Sequence, residues 1–127
     1  MKGAKGAKGA GDMAWEVRLL PEFNEWFAGL EDRQQDDVAA SLAVLAEFGP
    51  QLGRPRADTL KGAKHANMKE LRVQSGGRPI RCLFAFDPKR RAVVLLGGDK
   101  GGDRRWYADH VPIADARFAA YLKTTEE

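Results

Sequence analysis

Cysteine is nearly absent from this chain of 127 residues, which contains Cys82 alone. One cysteine cannot form an internal disulfide, so the sequence fits a reducing, cytoplasmic setting and a fold held together by its core. Cys82 lies in an apolar segment, where a small buried hydrophobic side chain is expected rather than a reactive thiol. The sequence also lacks an apolar run of the ~18 to 20 residues that a membrane span requires. Its N-terminus has no apolar core of a signal peptide.

Residue patterns for metals and nucleotides are missing as well. His65, His110 and Cys82 lie on different predicted elements without the spacing of a zinc site, so neither a metal nor a cofactor is predicted. The glycine-rich segment 97–102 lacks the G-x-G-x-x-G spacing of a dinucleotide fold, and Lys100 is followed by glycine instead of the Ser or Thr of a P-loop. No Ser-His-Asp or Cys-His arrangement can be assembled.

Positive charge is concentrated in one part of the chain. Residues 54 to 105 contain 14 Lys/Arg against 5 Asp/Glu, a net charge of +9, whereas residues 13 to 53 contain 2 against 8, a net charge of −6. This asymmetry predicts a face that binds nucleic acid, although a solvated surface of mixed charge is the simpler alternative. Aromatic side chains beside cations can stack on exposed RNA bases. The residues predicted to bind RNA are Arg54, Arg56, Lys61, Lys64, His65, Arg104, Arg105 and Trp106.

A threefold Lys-Gly-Ala repeat occupies the first twelve residues and offers nothing to bury. We expect it to be a disordered extension or an artefact, with Met13 as the natural start and residues 13 to 127 as one domain. Within that domain the hydrophobic pattern predicts the element order β, α, α, β, β, β, α. The predicted fold class is α+β, with an antiparallel sheet, two N-terminal helices on one face and a C-terminal helix.

Several boundaries can be predicted from local signals. The first helix begins at Pro21 and carries an apolar stripe, and the second begins with Asp32 as N-cap and ends before Gly49-Pro50. Residues 49 to 66 are predicted to be a loop or partial helix. A strand over residues 91 to 96 is followed by a glycine loop over 97 to 102, and the last helix, over about 103 to 122, is expected to break before Pro112.

Residues 68 to 86 predict a β-hairpin that turns at Gly76-Gly77. The simplest register creates two apolar pairs and one pair of like charges: Val73 with Ile80, Leu71 with Cys82, and Arg72 with Arg81. Like charges directly opposite each other are destabilising, so the arginine pair is most easily explained by a polyanion lying over it. On this reasoning, removing Arg81 should leave stability unchanged or slightly higher.

A set of short motifs, in this order along the chain, resembles a known family. The motifs are Leu60-Lys-Gly, Met68-Lys-Glu-Leu-Arg-Val, Arg81-Cys-Leu-Phe-Ala-Phe86, Leu95-Leu-Gly-Gly-Asp-Lys100, Trp106-Tyr107 and Pro112-Ile-Ala-Asp115. Over about residues 13 to 123 the sequence resembles the phage-derived, HigB-like branch of the RelE/ParE toxin superfamily. The resemblance implies a RelE-like microbial RNase fold and a toxin of a type II toxin–antitoxin system. It further implies an endoribonuclease that cleaves mRNA on the ribosome without metal, and a cognate antitoxin that often has a helix-turn-helix domain.

The resemblance also implies roles for individual residues. Arg81 matches the strand arginine that holds the scissile phosphate, Lys100 the basic residue after the last strand, and Tyr107 lies near a C-terminal tyrosine. Arg72 suits charge stabilisation, and proton transfer is left open among four candidates, since Lys69-Glu70 stands where RelE has two lysines: Glu70, Lys69, His65 and Tyr107. The alternatives to a nuclease are a ParE-like gyrase inhibitor and a non-catalytic phage module that binds nucleic acid.

Overall fold

Residues 14 to 125 are described by the structure, a computed structural model, and the Lys-Gly-Ala repeat lies outside them. A short strand, two helices, four further strands and a long helix follow one another along the chain. In order they are β1 (Glu16–Leu19), α1 (Pro21–Ala28), α2 (Asp32–Phe48), a 3₁₀ turn (Gly49–Gln51), β2 (Ala57–Thr59), β3 (Lys69–Ser75), β4 (Arg78–Phe86), β5 (Arg91–Asp99) and α3 (Trp106–Thr125).

The strands form one sheet in the order β1-β5-β4-β3-β2. Every neighbouring pair is antiparallel except β1 and β5, which run parallel because α1 and α2 return the chain to the same end of the sheet. The fold is therefore α+β as expected, with one parallel edge strand that the sequence pattern did not reveal. Strand β2, a three-residue edge strand, was not predicted, because the stretch that contains it was expected to be a loop or partial helix.

Helices cover both faces of the sheet. Phe23 of α1 and the stripe of α2 that contains Val38 and Leu45 pack against one face, as the apolar periodicity predicted. Helix α3 packs against the other face through Val111 and Phe118. The C-terminal helix thus lies opposite the two N-terminal helices, which leaves part of that face, beside the start of α3, for polar side chains.

The predicted hairpin is confirmed in turn, strands and register. Gly76 and Gly77 both have positive φ, 58° and 81°, as a two-residue type I′ turn requires. Arg72 lies opposite Arg81, and the two apolar pairs flank them with side chains on the opposite face. The alternation of apolar side chains therefore determined which face the arginines occupy.

Three local predictions are wrong. Asp32 is not the N-cap of α2 but its first helical residue. The N-cap position is occupied by Glu31, and no side chain forms a capping hydrogen bond. Helix α3 continues through Pro112 without a break. The glycines at 97 and 98 belong to β5, since the strand runs on to Asp99, and the turn begins only afterwards.

Gly98 leaves room for a tryptophan beside the strand. A Cβ atom at this position would lie 2.8 Å from Cζ2 and 3.0 Å from Nε1 of Trp106, which is closer than side chains tolerate. We expect Gly98→Ala to lower the free energy of unfolding by about 1 to 3 kcal/mol, because the buried indole must move. Gly53→Ala is the matched control, since no atom lies within 4 Å of its added methyl group. Equal stability of the two variants in urea unfolding would contradict the prediction.

Candidate active site on the sheet

Polar side chains from β3, β4 and the start of α3 converge on the face of the sheet that α3 partly covers. Side chains alternate along a strand, so Glu70 and Arg72 of β3 share this face with Arg81 of β4. Tyr107, in the first turn of α3, forms hydrogen bonds with two of these side chains, Glu70 and Arg81. These four residues are called the Glu70 cluster below.

Glu70 lies at the centre of the cluster and its side chain is only 5% exposed. Its Oε1 accepts a hydrogen bond of 2.6 Å from the hydroxyl of Tyr107, and Arg81 Nε lies 3.5 Å from the same oxygen. Its Oε2 accepts a hydrogen bond of 3.1 Å from Arg72 Nε. A buried carboxylate is stable only with such partners, and here three donors surround it.

The arginine pair is neutralised from within the protein. Arg72 also donates to Asp58 Oδ2, at 3.3 Å, and Asp58 lies on β2 directly opposite Glu70. Two carboxylates therefore stand beside the two opposed guanidinium groups. The arginine pair can therefore be explained without an external polyanion, and these carboxylates favour a loss of stability, not a gain, when Arg81 is removed.

Tyr107 joins the cluster to a further cation. Its hydroxyl accepts a hydrogen bond of 3.3 Å from Arg81 Nε, and Lys100 Nζ lies 5.8 Å from the centre of its ring, within range of a cation–π contact. Burial, together with the hydrogen bond to Glu70, raises the pKa of Tyr107, so its hydroxyl is protonated at neutral pH. Arg81 and Lys100, two residues to which the family resemblance assigns roles, thus both lie close to Tyr107.

Lys69 and Trp106 were predicted site residues but lie away from the cluster. Lys69 is on the opposite side of β3, facing with Leu71 and Val73 towards α1 and α2, and its Nζ lies 3.4 Å from Thr59 Oγ1. Trp106 is 3% exposed and stacks on His110, so it is part of the core and cannot stack on RNA. Strand alternation predicts the position of Lys69, whereas the burial of Trp106 depends on the space beside Gly98.

His65 is engaged elsewhere. Its Nδ1 lies 2.9 Å from Asp115 Oδ1, and Asp115 also accepts hydrogen bonds from the backbone N–H groups of Lys64 and His65. This buried carboxylate fastens the loop of residues 60 to 67 to α3. The sequence motif Pro112-Ile-Ala-Asp115 contains Asp115, but only the structure reveals its partner.

The remaining basic residues predicted to bind RNA lie outside the cluster, on different parts of the surface. Arg54 is exposed and pairs with Asp58 at 3.0 Å, which places it at the edge of the Glu70 cluster. Arg56 borders a groove with Asp37 and Val44 of α2, towards the helical face. The others are exposed and lie in the loop before β3 or just before α3: Lys61, Lys64, Arg104 and Arg105.

The Asp115 contacts should make stability sensitive to acid. Burial alone raises the pKa of a carboxyl group, but hydrogen bonds from Lys64 N–H and from His65 hold the pKa of Asp115 below its usual range. A carboxyl group whose pKa is lower in the folded state stabilises the fold above the unfolded value of about 3.9 and loses that contribution as the pH falls through the folded value. We expect the stability of Asp115→Asn to fall less steeply than that of the wild type below about pH 5.

Urea unfolding at several pH values measures this difference. Asp36→Asn is the control, because Asp36 is exposed on α2. If the free energy of unfolding of Asp115→Asn fell below pH 5 as steeply as that of the wild type, this carboxyl group would not be coupled to folding.

The described residues have three further features. Burial raises the pKa of Cys82 to about 12, so its thiol is unreactive, as its position in an apolar strand suggested. Within residues 14 to 125, no group of three His, Cys, Asp or Glu side chains could hold a metal ion. In the same range, no helix is both long and apolar enough to cross a membrane.

Comparison with solved structures identifies the fold. The toxin RelE of E. coli, a mutant in the free state, superposes with a TM-score of 0.56 over 74% of this chain and 92% of RelE, at 13% identity. The RelBE2 toxin–antitoxin complex of Mycobacterium tuberculosis gives a TM-score of 0.53 over 68% of this chain and 98% of the compared chain, at 17% identity. The fold is that of the RelE toxins.

Comparison of sequences identifies the family. A model described as "Phage derived protein Gp49-like" matches residues 25 to 119. The M. tuberculosis H37Rv protein named as toxin HigB3 is 46% identical over 107 residues, which is 84% of this chain and 92% of HigB3. Toxin HigB2 of the same strain is 45% identical over 110 residues, 85% of this chain but only 55% of HigB2. The chain belongs to the phage-derived Gp49-like family and is a HigB-like toxin of a toxin–antitoxin system.

Proposed function

We propose that this toxin is a ribosome-dependent, metal-independent mRNA endonuclease, an enzyme that inhibits translation in the cytoplasm. The observation that carries the proposal is the hydrogen-bonded group of Glu70, Tyr107 and Arg81, with Arg72 and Lys100 beside it. Cleavage of RNA by its own 2′-hydroxyl needs that hydroxyl deprotonated, the phosphorane charge stabilised and the 5′-oxygen protonated. The cluster contains groups for all three tasks.

Arg81 and Arg72 are the groups that would stabilise the negative charge of the phosphorane. The guanidinium of Arg81 is oriented by Glu70 and Tyr107, and that of Arg72 by Glu70 and Asp58, so both are held in place before the substrate arrives. Preorganised donors stabilise developing charge without having to reorient during the reaction. Arg72 is 35% exposed and Arg81 11%, so Arg72 meets the substrate first and Arg81 lies deeper.

Proton transfer follows from the Tyr107–Glu70 hydrogen bond. Glu70 is too buried to reach a ribose directly, whereas Tyr107 is half-buried and donates to it over 2.6 Å. In the proposed step the Tyr107 oxygen takes the 2′-hydroxyl proton while its own proton passes to Glu70, so the 2′-oxygen attacks phosphorus. A raised pKa suits this relay, because the phenol enters it as a neutral group. Lys100, which lies beside the cluster, is assigned to donate a proton to the departing 5′-oxygen.

The partners of the proposed function are the ribosome with its mRNA, and a cognate antitoxin with a helix-turn-helix domain. The basic residues around the cluster suit an RNA surface, since backbone phosphates are held chiefly by Lys and Arg. Support for an antitoxin comes from the similarity to HigB3 and from the RelBE2 neighbour, which is a toxin–antitoxin complex.

Primer extension on translated mRNA after induction tests the proposal. We expect new 5′ ends within coding regions for the wild type and for Lys69→Ala, because Lys69 lies on the other face of β3. We expect none for Tyr107→Phe. Intact transcripts with broken DNA after induction of the wild type would instead support gyrase inhibition. Intact transcripts and intact DNA would support a non-catalytic module.

A further inference from the structure

The backbone of Lys100 is fixed by hydrogen bonds at the end of β5. Its N–H donates to the carbonyl oxygen of Pro79 at 3.1 Å, and its own carbonyl oxygen accepts from the N–H of Asp103 at 3.0 Å. The proposed function assigns a proton transfer to this lysine, which requires its ammonium group to lie within hydrogen-bond distance of one oxygen atom of the substrate. The geometry of the turn that carries Lys100 therefore bears on the reaction.

An ion pair on the opposite face of the sheet holds the residue before Lys100. Arg78 Nε lies 2.7 Å from Asp99 Oδ2, and Arg78 Nη2 lies 3.0 Å from Asp99 Oδ1, so the two planar groups meet through two hydrogen bonds. Asp99 is paired with Ile80, whose side chain is in the core beneath α1 and α2. Side chains alternate along a strand, so the ion pair is on this face, whereas Lys100 Nζ lies over the ring of Tyr107 on the α3 face.

The same carboxylate also fixes the turn after Lys100. Asp99 Oδ1 accepts a hydrogen bond of 2.8 Å from Gly101 N–H. Gly101 leaves space for the ion pair, because a Cβ atom there would lie 2.5 Å from Arg78 Nη2 and 3.0 Å from Asp99 Oδ1. The hydrogen bond from Arg78 holds the pKa of the Asp99 carboxyl below its usual range, so this group is charged at neutral pH. Asp99 therefore links Arg78 to the backbone on both sides of Lys100.

We infer that Arg78 and Asp99 are positioning residues for Lys100, which hold its ammonium group where the departing 5′-oxygen of the RNA can take a proton from it. The inference rests on the proposed nuclease function and adds two residues that act through Lys100 without touching the substrate. As the bond between phosphorus and the 5′-oxygen breaks, that oxygen keeps the bonding electrons and receives a proton from Lys100 Nζ. The products are a 5′-hydroxyl and a 2′,3′-cyclic phosphate.

Exposure of the ion pair separates this role from a role in global stability. The side chain of Arg78 is 54% exposed and that of Asp99 is 32% exposed. Exposed ion pairs contribute little to the free energy of unfolding. Loss of the pair should therefore change the local geometry at Lys100 while the fold remains intact.

Single-turnover cleavage on programmed ribosomes tests the inference. We expect Arg78→Ala and Asp99→Ala each to lower the maximal rate roughly ten- to a hundredfold, as a displacement of about 1 Å can do, with little change in the ribosome concentration that gives half of that rate. The two substitutions change the net charge in opposite directions, so an effect through attraction to RNA alone would have opposite signs in the two variants. Arg18→Ala is the matched control and should cleave as the wild type does. Arg18 also pairs with a carboxylate at 2.7 Å and is 46% exposed, on the edge strand β1.

A substrate with sulfur in place of the 5′-oxygen at the cleaved bond provides a second measurement. A thiolate leaves without a proton, because thiols are much stronger acids than alcohols, so Arg78→Ala and Asp99→Ala should cleave this substrate at the wild-type rate. Full cleavage would also show that both variants are folded. In a Lys100→Ala background, where the donor is already absent, Asp99→Ala should cause no further loss.

The outcomes separate the positioning role from the nuclease proposal. Wild-type cleavage of the ordinary substrate by Asp99→Ala, or slow cleavage of both substrates by the two alanine variants, would overturn the positioning role. So would a further loss in the double variant, or opposite effects of the two variants on ribosome affinity with unchanged maximal rates. A wild-type protein that cuts neither substrate would overturn the proposed function, and the inference with it.

Discussion

Glu70→Ala is expected to lower the free energy of unfolding by about 3 to 5 kcal/mol, as removal of one partner from a buried charge pair does. The substitution leaves Arg72 and Arg81 opposite each other on adjacent strands and deprives the Tyr107 hydroxyl of its acceptor. Urea unfolding followed by far-UV circular dichroism measures the loss.

Glu16→Ala is the matched control for this measurement. Glu16 also pairs with an arginine on its own strand, Arg18, at 2.7 Å, but the two side chains are 55% and 46% exposed. Exposed ion pairs contribute only about 0 to 1 kcal/mol. An equally small decrease in the free energy of unfolding for both glutamate variants would show that burial of the Glu70 cluster does not contribute to stability.

Arg81→Ala should be destabilising too, but less so than Glu70→Ala. Glu70 keeps Arg72 and Tyr107 as donors when Arg81 is removed, so we expect a loss of about 1 to 3 kcal/mol. The opposed arginines alone would predict a gain. The sign of this single measurement therefore decides whether the internal carboxylates or the like-charge repulsion dominate.

Tyr107→Phe is expected to reduce mRNA cleavage by about 10² to 10⁴-fold, the usual contribution of a group that transfers a proton. The ring stays, so the contact with Lys100 and the packing against Trp106 are retained, and only the hydroxyl between Glu70 and Arg81 is lost. Rates of cleavage on programmed ribosomes, measured at equal toxin concentration, give the ratio.

Tyr121→Phe is the matched control, because Tyr121 has a hydrogen bond similar to that of Tyr107. Tyr121 also lies on α3 and donates to a buried carboxylate, Asp87, over 2.8 Å. Each hydroxyl bonded to a charged group should contribute about 1.5 to 3 kcal/mol to stability, so both variants should melt earlier by similar amounts. Only Tyr107→Phe should lose cleavage. Equal cleavage by both variants would remove Tyr107 from the mechanism.

Parts of the fold and site could be predicted because their signals are local. The Gly76-Gly77 turn and the alternation of apolar residues determine the hairpin register, and hence the opposition of Arg72 and Arg81. Alternation also separates Lys69 from Glu70, although both were candidates. The motif order was sufficient to predict the HigB-like family and the RelE fold, which the comparisons confirm.

Other parts could not be predicted because their partners are distant in sequence. Strand β2 has three residues and weak periodicity, so Asp58 was not seen as a counter-charge to Arg72. Trp106 follows two arginines, yet it is buried because Gly98, eight residues earlier and on another element, has no side chain. Neither the contact of Asp58 with Arg72 nor that of Trp106 with Gly98 can be predicted from neighbouring residues in the sequence.

The sequence by itself determined the secondary structure of the hairpin and the concentration of basic residues in the second half. Both depend on neighbouring residues and on composition, which are visible without a fold. The tertiary structure alone decided what those charges do, because placement of β2 and α3 brings Asp58 and Tyr107 to the arginine pair. Energies of buried charges depend on their nearest partners and on exclusion of water. Those partners are set by packing of the whole molecule. Arg72 and Arg81, which the sequence predicts to repel each other, are therefore neutralised by carboxylates in the folded protein.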